Sequence, residues 1–493
     1  MRSIVFLLCL ITGPTYSLSI ADVQGSGHTS PYLGQQVTIE GVVTQTVDAV
    51  SGFFIQSEQA DNNPNTSEAV FVYTGRRGHQ VNTGDLVRIR GTVDEYDGQT
   101  QITRPNLIQL IGQRALPAPQ PLRDISQAES QESMRVLSAG SVSNLYQLSR
   151  YGSVELSNGY WLDDNQFSTR PELSDWQLNV RLQQSLANSP AILVHRFGEY
   201  RLFAQAVELV GNPRPPAPDK PQGAIRLVVS NLFNFFNGEQ GSFSSSRGPN
   251  TSEQWQRQLA KTSKAINQLQ PDILVVSEAE NDFHTANSAL SELASATGLQ
   301  LVNSRQRTGE DAIAVNILYK PSTIALTGSA IYLTDLDTRN RVPMAQRFTS
   351  RQGGSLLLSA QHWKSKRCNH DDCGKTARFN AAQAVSAWLK NEADVLVAGD
   401  LNSYYGDPAW QYLVEHGWQT LLTESDYTYH YRGRFGALDH VFSRNLDNWT
   451  AVTHIWHINA DEAPWRSYQA VNAPLDATRY SDHDPIIIDL FHH

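Results

Sequence analysis

Several features are absent or scarce in this sequence of 493 residues, and each narrows the range of functions. Beyond the N-terminus, no apolar run is long enough to cross a membrane, so we expect a soluble protein. There is no glycine-rich P-loop and no G-x-S-x-G elbow, so the sequence lacks support for nucleoside-triphosphate and serine-hydrolase chemistries. Cysteine is scarce, with three residues in the chain.

A net positive charge is missing as well. The formal net charge is −10 at pH 7, which argues against attraction of nucleic acid to the whole surface. The charge is uneven, however, because residues 301–380 contain twelve Lys and Arg residues against six Asp and Glu residues. One basic face could therefore bind a polyanion, and an ordinary solvated patch is the alternative.

Residues 1–19 have the pattern of a secretory signal peptide. One basic residue precedes a short apolar run from Ile4 to Ile11, and small residues follow. We expect cleavage after Ser17 or Ser19, and a secreted protein located outside the cell or in the periplasm. The alternative is a buried N-terminal strand or helix.

The cysteine pattern agrees with export. Cys9 lies inside the predicted signal peptide, which leaves Cys368 and Cys373 in the segment "KRCNHDDCGK". In an oxidising compartment, two thiols this close in the chain are predicted to form a disulfide. A metal site built on these two cysteines is less favoured, because no second ligand pair has suitable spacing.

Two proline-rich stretches, 114–124 and 211–223, divide the mature chain into three segments. Short alternating apolar runs predict an all-β, OB-like barrel over 20–113. The second segment, 125–210, is predicted to be a β-rich connecting region that packs with either neighbour. The third, 222–493, alternates buried strands with helices and is predicted to be an α/β domain built around sheets.

Aromatic residues in the barrel segment raise the question of ligand binding. OB-like barrels often bind single-stranded nucleic acid through aromatic and basic side chains. Phe53, Phe54, Phe71 and Tyr73 could serve in this way. Alternating aromatic residues are more often part of a core, so we favour a scaffold role for the barrel.

Polar residues lie at the ends of seven apolar strands in the third segment. One such residue beside one strand is usually a satisfied structural group. In layered α/β folds, however, strand ends meet at one rim, where sites form, so we expect these groups to face a common cleft. The residues are Asn231, Glu278, Asp311, His362, Asp400 with Asn402, Asp439, and Asp482 with His483.

The residue types in this set favour phosphodiester hydrolysis. Carboxylate and amide oxygens suit Mg²⁺, Ca²⁺ or Mn²⁺ rather than zinc. A divalent ion can neutralise charge on a phosphate while the imidazole of His362 or His483 moves a proton. Nearby Lys364, Lys366 and Arg378 are predicted to bind phosphate oxygens.

The motifs of this segment resemble a known superfamily. Asn231, "SEAEN", "GDLN" and "SDHDP", in this order, resemble the endonuclease/exonuclease/phosphatase superfamily. The resemblance implies a DNase I-like, four-layer α/β sandwich preceded by the all-β OB-like barrel. The motifs "RQLAKT", "HWKSK", "GDLNSYYGDPA", "GALDH" and "WHINADEAP" are similar to the ExeM/NucH branch of secreted bacterial nucleases, which also carries an N-terminal OB-like segment.

The resemblance implies a metal centre. Glu278 would hold a divalent ion, with Asn231 and Asp482 nearby, and Asp311 would give acidic support from the next strand. The implied ion is Mg²⁺ or Mn²⁺, with Ca²⁺ as a further alternative.

The resemblance also implies catalytic roles. His483 would act as a base or as a phosphate stabiliser, oriented by Asp439. His362 would be the acid that protonates the leaving oxygen. Asp400 and Asn402 would position the attacking water and the scissile phosphate.

The resulting prediction is a secreted, divalent-metal-dependent nuclease that hydrolyses DNA with little sequence preference. RNA is an alternative substrate, and we expect a monomer with no membrane partner. Two other functions stay open: a secreted phosphodiesterase acting on phospholipid or inositol-phosphate head groups, and a non-catalytic nucleic-acid-binding protein.

Overall fold

A computed structural model describes most of the chain after the predicted signal peptide, which lies almost entirely outside the described residues. The described residues are 17–493 without 48–49, 76–77, 79, 165–172, 205, 239–242, 244–246, 284, 286, 338 and 369–371. The chain divides into two compact units, Met1–Asn212 and Pro213–His493, so the boundary falls within the second proline-rich stretch. Among the described residues, no helix combines the length and apolarity that a membrane span requires.

A closed barrel of five strands forms the first part of the first unit. Its elements are α1 (Ile20–Gln24), β1 (Gln36–Val47), β2 (Gly52–Gln56), β3 (Ala69–Tyr73), β4 (Asp85–Tyr96) and β5 (Gln99–Gln113). Around the barrel the order is β1, β2, β3, β5, β4, and β3 runs parallel to β5. Val37 and Ile39 of β1 are buried, whereas Thr38 and Glu40 are partly exposed. This alternation is typical of a strand with one face on a core.

A seven-stranded sheet follows the barrel within the same unit. Its strands, the small pair β11–β14 and the intervening helices are β6 (Gln120–Pro121), β7 (Arg135–Leu137), β8 (Val142–Asn144), α2 (Leu148–Tyr151), β9 (Val154–Leu156), β10 (Trp161–Asp164), α3 (Asp175–Asn179), β11 (Ser185–Leu186), β12 (Pro190–Arg196), β13 (Glu199–Ala204) and β14 (Leu209–Val210), with a 3₁₀ helix at Ile125–Gln131. The sheet order is β6, β7, β12, β13, β10, β9, β8.

The sheet packs on the barrel, which settles a question that the sequence left open. Ile192, Val194 and Phe203 of the sheet share a buried cluster with Phe54 and Phe71 of the barrel. Three of the four barrel aromatics therefore belong to packing, since Phe53 is also buried in the barrel core, while Tyr73 is 43% exposed.

The second unit contains two six-stranded sheets and a small hairpin. Its elements are β15 (Ile225–Phe235), α4 (Ser252–Leu269), β16 (Ile273–Glu280), α5 (Ala289–Thr297), β17 (Gln300–Leu301), β18 (Ile313–Tyr319), β19 (Ile324–Tyr332), β20 (Met344–Ser350), β21 (Ser355–His362), α6 (Lys375–Trp388), β22 (Val395–Asp400), α7 (Pro408–Glu415), β23 (Gln419–Thr420), β24 (Tyr429–Tyr431), β25 (Arg434–Gly436), β26 (Asp439–Arg444), β27 (Trp449–Ile455) and β28 (Ile486–His492), with a 3₁₀ helix at Pro464–Arg466. The first sheet has the order β17, β18, β16, β15, β28, β27, and the second has the order β19, β20, β21, β22, β26, β23.

The two sheets pack face to face and carry helices on their outer faces. Side chains from both sheets, including Leu227, Val229, Leu358 and Leu396, fill the core between them. A second core joins α4 and α5 to the first sheet, and a third joins α6 and α7 to the second sheet. The second unit therefore has the mixed α/β architecture that the sequence predicted.

Candidate active site

The polar ends of five strands meet at one rim of the two sheets. In the first sheet, β15 and β16 are parallel, and Asn231 lies opposite Ser277. In the second sheet, β21 and β22 are parallel, with His362 opposite Asp400. Strand β26 runs antiparallel to β22 and places Asp439 opposite Asp400 as well. Because parallel strands end at the same edge, these side chains are brought together as the strand-end pattern predicted.

Asp400 is the centre of the site and connects the two sheets. Its carboxylate is 2% exposed. Oδ2 accepts a hydrogen bond from Asn231 Nδ2 of the first sheet (3.1 Å) and lies 3.6 Å from His362 Nε2. Oδ1 accepts the backbone N–H of Asn402 (2.9 Å). Burial and the charge of Asp439 raise the pKa of Asp400 to about 7, although His483 opposes the shift.

The glycine of "GDLN" allows this arrangement. Gly399 has φ +142°, and a Cβ at this position would lie 2.1 Å from the carbonyl oxygen of Gln361 on the neighbouring strand. A larger residue would push β21 and β22 apart just before His362 and Asp400. Glycine is therefore required for the close approach of the two strands.

His483 and Asp439 form a buried pair. His483 Nδ1 lies 2.7 Å from Asp439 Oδ2, which also accepts the hydroxyl of Thr428 (2.7 Å). Burial lowers the pKa of His483, but the carboxylates of Asp439, Asp482 and Asp400 outweigh burial and raise this pKa well above its ordinary value. The imidazole is thus protonated near neutral pH, and Nε2 faces away from Asp439.

The segment that carries His483 is fixed by two residues that sequence reasoning missed as positioning groups. Asn459 Nδ2 donates to the carbonyl of His483 (2.7 Å). Asp484 accepts the backbone N–H groups of Asn459 (2.7 Å) and Ala460 (3.0 Å). Asn459 lies within the motif "WHINADEAP" and Asp484 within "SDHDP", so their place in these motifs could have indicated a role at the site. Thr428 lies outside the quoted motifs, so the sequence did not indicate its contact with Asp439.

His362 is buried beside a cation. Its Nε2 lies 3.5 Å from Arg341 Nη1, and Arg341 Nε lies 3.1 Å from Asp311 Oδ2. Although the Asp400 carboxylate is close, burial and the Arg341 charge hold the pKa of His362 well below its ordinary value. The ring is therefore neutral near pH 7. Asp311 reaches this part of the site through Arg341, a residue that the sequence did not single out.

Glu278, on β16, is a further acidic residue at the rim. Its backbone has φ +58°, in the left-handed region, and its Oε2 accepts the N–H of Asn234 (2.9 Å). Strain of this kind costs about 1–3 kcal/mol and clusters at functional sites. Burial and the charge of Asp482 raise the pKa of Glu278. Asp482 is partly exposed and acts on this group through its charge.

The donor groups fit a divalent cation. Oxygen and nitrogen donors of Glu278, His362 and Asp400 lie within 4.8 Å of one another. Those of Asp400, Asp439 and His483 are as close, but the protonated His483 ring is already bonded to Asp439, so the first group is the better candidate. Two donors that bind one ion at about 2.0–2.6 Å are separated by less than about 5 Å. Burial, together with a neighbouring carboxylate, raises the pKa of both Glu278 and Asp400, and a bound cation would favour their charged forms.

The predicted phosphate-binding residues differ in exposure. Lys364 and Lys366 are partly exposed, and Lys366 pairs with Asp407. Arg378 is 5% exposed, and its Nη1 donates to the carbonyls of Lys364 (2.9 Å) and Cys373 (3.0 Å). These contacts give Arg378 a structural part in holding the segment that follows His362. Cys373 forms a disulfide with Cys368 in the same loop.

Comparisons with known proteins gave matches among solved structures and one family profile. No curated protein matches the chain. Solved structures that match part of the chain include humanized D. rerio TDP2 (13% identity, 55% of this chain and 99% of that chain, TM-score 0.39) and the human Nocturnin catalytic domain (14%, 56% and 97%, 0.38). ANGEL2, a 2′,3′-cyclic phosphatase, is another (14%, 55% and 96%, 0.40).

A sequence profile assigns the chain to a protein family. The profile of the Endonuclease/Exonuclease/phosphatase family matches residues 230–483, which is just over half of the 493-residue chain. Members of this family are phosphodiesterases and nucleases that typically depend on a divalent metal. The matched region begins one residue before Asn231 and ends at His483, so it includes every strand end of the site. The chain belongs to the Endonuclease/Exonuclease/phosphatase family.

Proposed function

We propose that this protein is a secreted, divalent-metal-dependent nuclease of the ExeM/NucH type that hydrolyses DNA with little sequence preference. The observation that carries the proposal is the meeting of Asp400, His362 and Glu278 within 4.8 Å, beside the buried His483–Asp439 pair. We also assign the five-stranded barrel to the OB-like class, because its strand order and its parallel β3–β5 pair suit that fold.

The proposed chemistry uses three groups of this chain. Asp400, with a pKa of about 7, takes a proton from the attacking water, whose oxygen bonds to phosphorus. The phosphorus–oxygen bond to the leaving group breaks, and the leaving oxygen takes a proton from the His483 imidazolium. Asp439 keeps that ring in position through Nδ1. Asn402, held by its bond to the Trp363 carbonyl (3.1 Å), orients the phosphate.

The pKa shifts of the two histidines support one assignment among the roles that the family resemblance left open. His483 is protonated near pH 7, so it suits phosphate stabilisation and proton donation rather than the role of base. His362 is neutral, which disfavours the acid role predicted for it. We propose that its ring donates one N–H hydrogen bond to a phosphate oxygen instead.

The metal would be held by Glu278, with Asn231 and Asp482 nearby. Bound there, a divalent cation such as Mg²⁺ or Mn²⁺ would neutralise the charge that develops on the phosphate. Lys364 and Lys366 would contact flanking phosphates, so binding should weaken as salt rises.

Secretion forms part of the proposal, and the first described residues bear on the cleavage position. The N–H of Leu18 donates to the carbonyl of Thr38 (3.1 Å), and Ser19 caps helix α1. Both residues thus contribute to the barrel, which favours cleavage after Ser17. N-terminal sequencing of the exported protein should begin at Leu18.

A digestion assay tests the proposed activity. Supercoiled plasmid should be nicked and linearised with Mg²⁺, Mn²⁺ or Ca²⁺ and should stay intact with EDTA. His483→Ala should abolish cleavage, whereas His454→Ala, at an exposed position of β27, serves as the matched control and should cleave normally. A folded His483→Ala variant that cuts like the parent would exclude this site. Hydrolysis of sphingomyelin without loss of DNA would favour the head-group phosphodiesterase instead.

A further inference from the structure

A two-stranded hairpin stands beside the candidate site and has no part in the chemistry described so far. Strands β24 and β25 are joined by Arg432 (φ +48°) and Gly433 (φ +78°). Two successive residues with positive φ are typical of a type I′ turn, which fits the twist of paired strands. The N–H of Gly433 donates to His430 Nε2 (2.9 Å), and His430 packs against Phe435 (ring centroids 5.0 Å). The hairpin, residues 429–436, is therefore a defined element.

The base of the hairpin contacts the site on two sides. The ring of Tyr429 lies 4.6 Å from the ring of His483. At the other strand, a Cβ on Gly436 would lie 2.7 Å from the ring of Tyr404, so this glycine allows the hairpin to rest on that ring. Lys366 Nζ lies 4.9 Å from the centre of the Tyr404 ring. The hairpin therefore lies between the His483 ring and Lys366, which is proposed to bind phosphate.

The outer part of the hairpin exposes aromatic rings and positive charges together. Tyr431 is 54% exposed and Phe435 is 37% exposed. Arg432 and Arg434 are exposed as well, and Arg432 Cζ lies 5.4 Å from the centre of the Tyr431 ring. Single exposed aromatic side chains are common on protein surfaces. Here two rings and two guanidinium groups occur within five consecutive residues.

This combination matches the chemistry of single-stranded nucleic acid. Unpaired bases stack on aromatic rings, and guanidinium groups bind backbone phosphates through charge-assisted hydrogen bonds. Bases in a duplex are stacked on one another and are not available to an outside ring. A lipid surface is a weaker match, because the rings alternate with cations and the tip carries no exposed aliphatic side chain or tryptophan.

We propose that the hairpin binds a single-stranded segment of the substrate next to the scissile phosphate. Tyr431 stacks on an unpaired base, and Arg432 and Arg434 contact the flanking phosphates. The inference rests on the proposed nuclease function and narrows its substrate class: single strands and unpaired regions are cleaved in preference to continuous duplex.

The test compares KM and kcat on a single-stranded oligonucleotide and on its blunt duplex. The parent should have the lower KM on the single strand. In Tyr431→Ala, KM on the single strand should rise about 5- to 150-fold, the range found when a stacking ring is removed, with the loss in KM rather than kcat. Tyr431→Phe keeps the ring and should restore KM. Tyr146→Ala, an 80% exposed tyrosine of the first unit, is the matched control.

Two further measurements separate the possible failures. Bis(p-nitrophenyl) phosphate reports the chemistry without a strand, and a parent that cleaves neither this ester nor DNA would overturn the proposed function. A parent that cleaves both, with Tyr431→Ala unchanged on the oligonucleotide, would overturn the hairpin proposal alone. Equal losses on the ester and the oligonucleotide would indicate a structural role and would also overturn it. Hairpin-dependent binding to phosphatidylglycerol vesicles, without a change in oligonucleotide KM, would assign the hairpin to lipid.

Discussion

Replacing Asp439 by asparagine isolates the contribution of one buried charge to catalysis. Asp439 is 1% exposed, and its Oδ2 is 2.7 Å from His483 Nδ1 and 2.7 Å from the Thr428 hydroxyl. The asparagine side chain would keep the shape but remove the charge, and its amide could present either an acceptor or a donor to Nδ1. A donor could not accept the Nδ1 proton, so the ring would lose the orientation and protonation that Asp439 maintains.

The expected loss follows from the strength of the lost interaction. A hydrogen bond to a charged group contributes about 1.5–3 kcal/mol, which corresponds to about 10- to 150-fold in kcat/KM. Thr428→Val removes the hydroxyl that donates to the Asp439 carboxylate but leaves the carboxylate itself in place. We therefore expect a smaller loss of kcat/KM, about 3- to 10-fold. Because the two residues act on one imidazole, the double variant should lose less than the product of the single losses.

The assay is the initial rate of cleavage of a fluorescent oligonucleotide, with thermal unfolding measured in parallel. Asp335→Asn, at an exposed position of the same unit, is the matched control and should cleave like the parent. Retention of more than half of the parental kcat/KM by a folded Asp439→Asn variant would refute the assignment of His483 as an oriented proton donor.

Two further predictions concern the carboxylates of Glu132 and Glu278. Glu132 is fully buried, and burial followed by the charge of Glu129 raises its pKa well above 4.5. The folded state therefore keeps a proton that the unfolded state releases above pH 4.5. The contribution of this group to stability is greatest below pH 4.5 and falls as pH rises toward the folded pKa. We expect Glu132→Gln to raise the melting temperature at pH 8 but not at pH 4; equal shifts at both pH values would contradict this. Mn²⁺ at about 100 times its Kd should stabilise the parent by about 2.7 kcal/mol in thermal unfolding, and Glu278→Gln should lose most of this gain. An unchanged gain would place the metal elsewhere.

The sequence predicted the strand ends of the site because that pattern is local. His362, Asp400 and Asp439 each follow or begin a short apolar run, and the rule that parallel strands end at one rim brings them together. The mixed α/β class followed from the same alternation of buried strands and helices.

Contacts between distant segments were not predictable in the same way. Arg341 lies 21 residues before His362 and reaches it only because β20 and β21 pair as neighbours. Nothing in its own neighbourhood distinguishes it from the other arginines of the basic stretch. The sheet of the first unit is a second case, because β7 and β9 have three residues each, too few to show a period.

The hydrogen bond between Asn231 and Asp400 makes enzymatic competence depend on the packing of one sheet against the other. One partner belongs to each sheet, so a chain with a single sheet formed holds only part of the set that moves protons. Recovery of cleavage during refolding should therefore lag behind recovery of secondary structure and should report the docking of one sheet on the other. Substitutions that weaken packing in the apolar layer between the sheets should abolish cleavage while the far-ultraviolet circular dichroism spectrum stays like that of the parent.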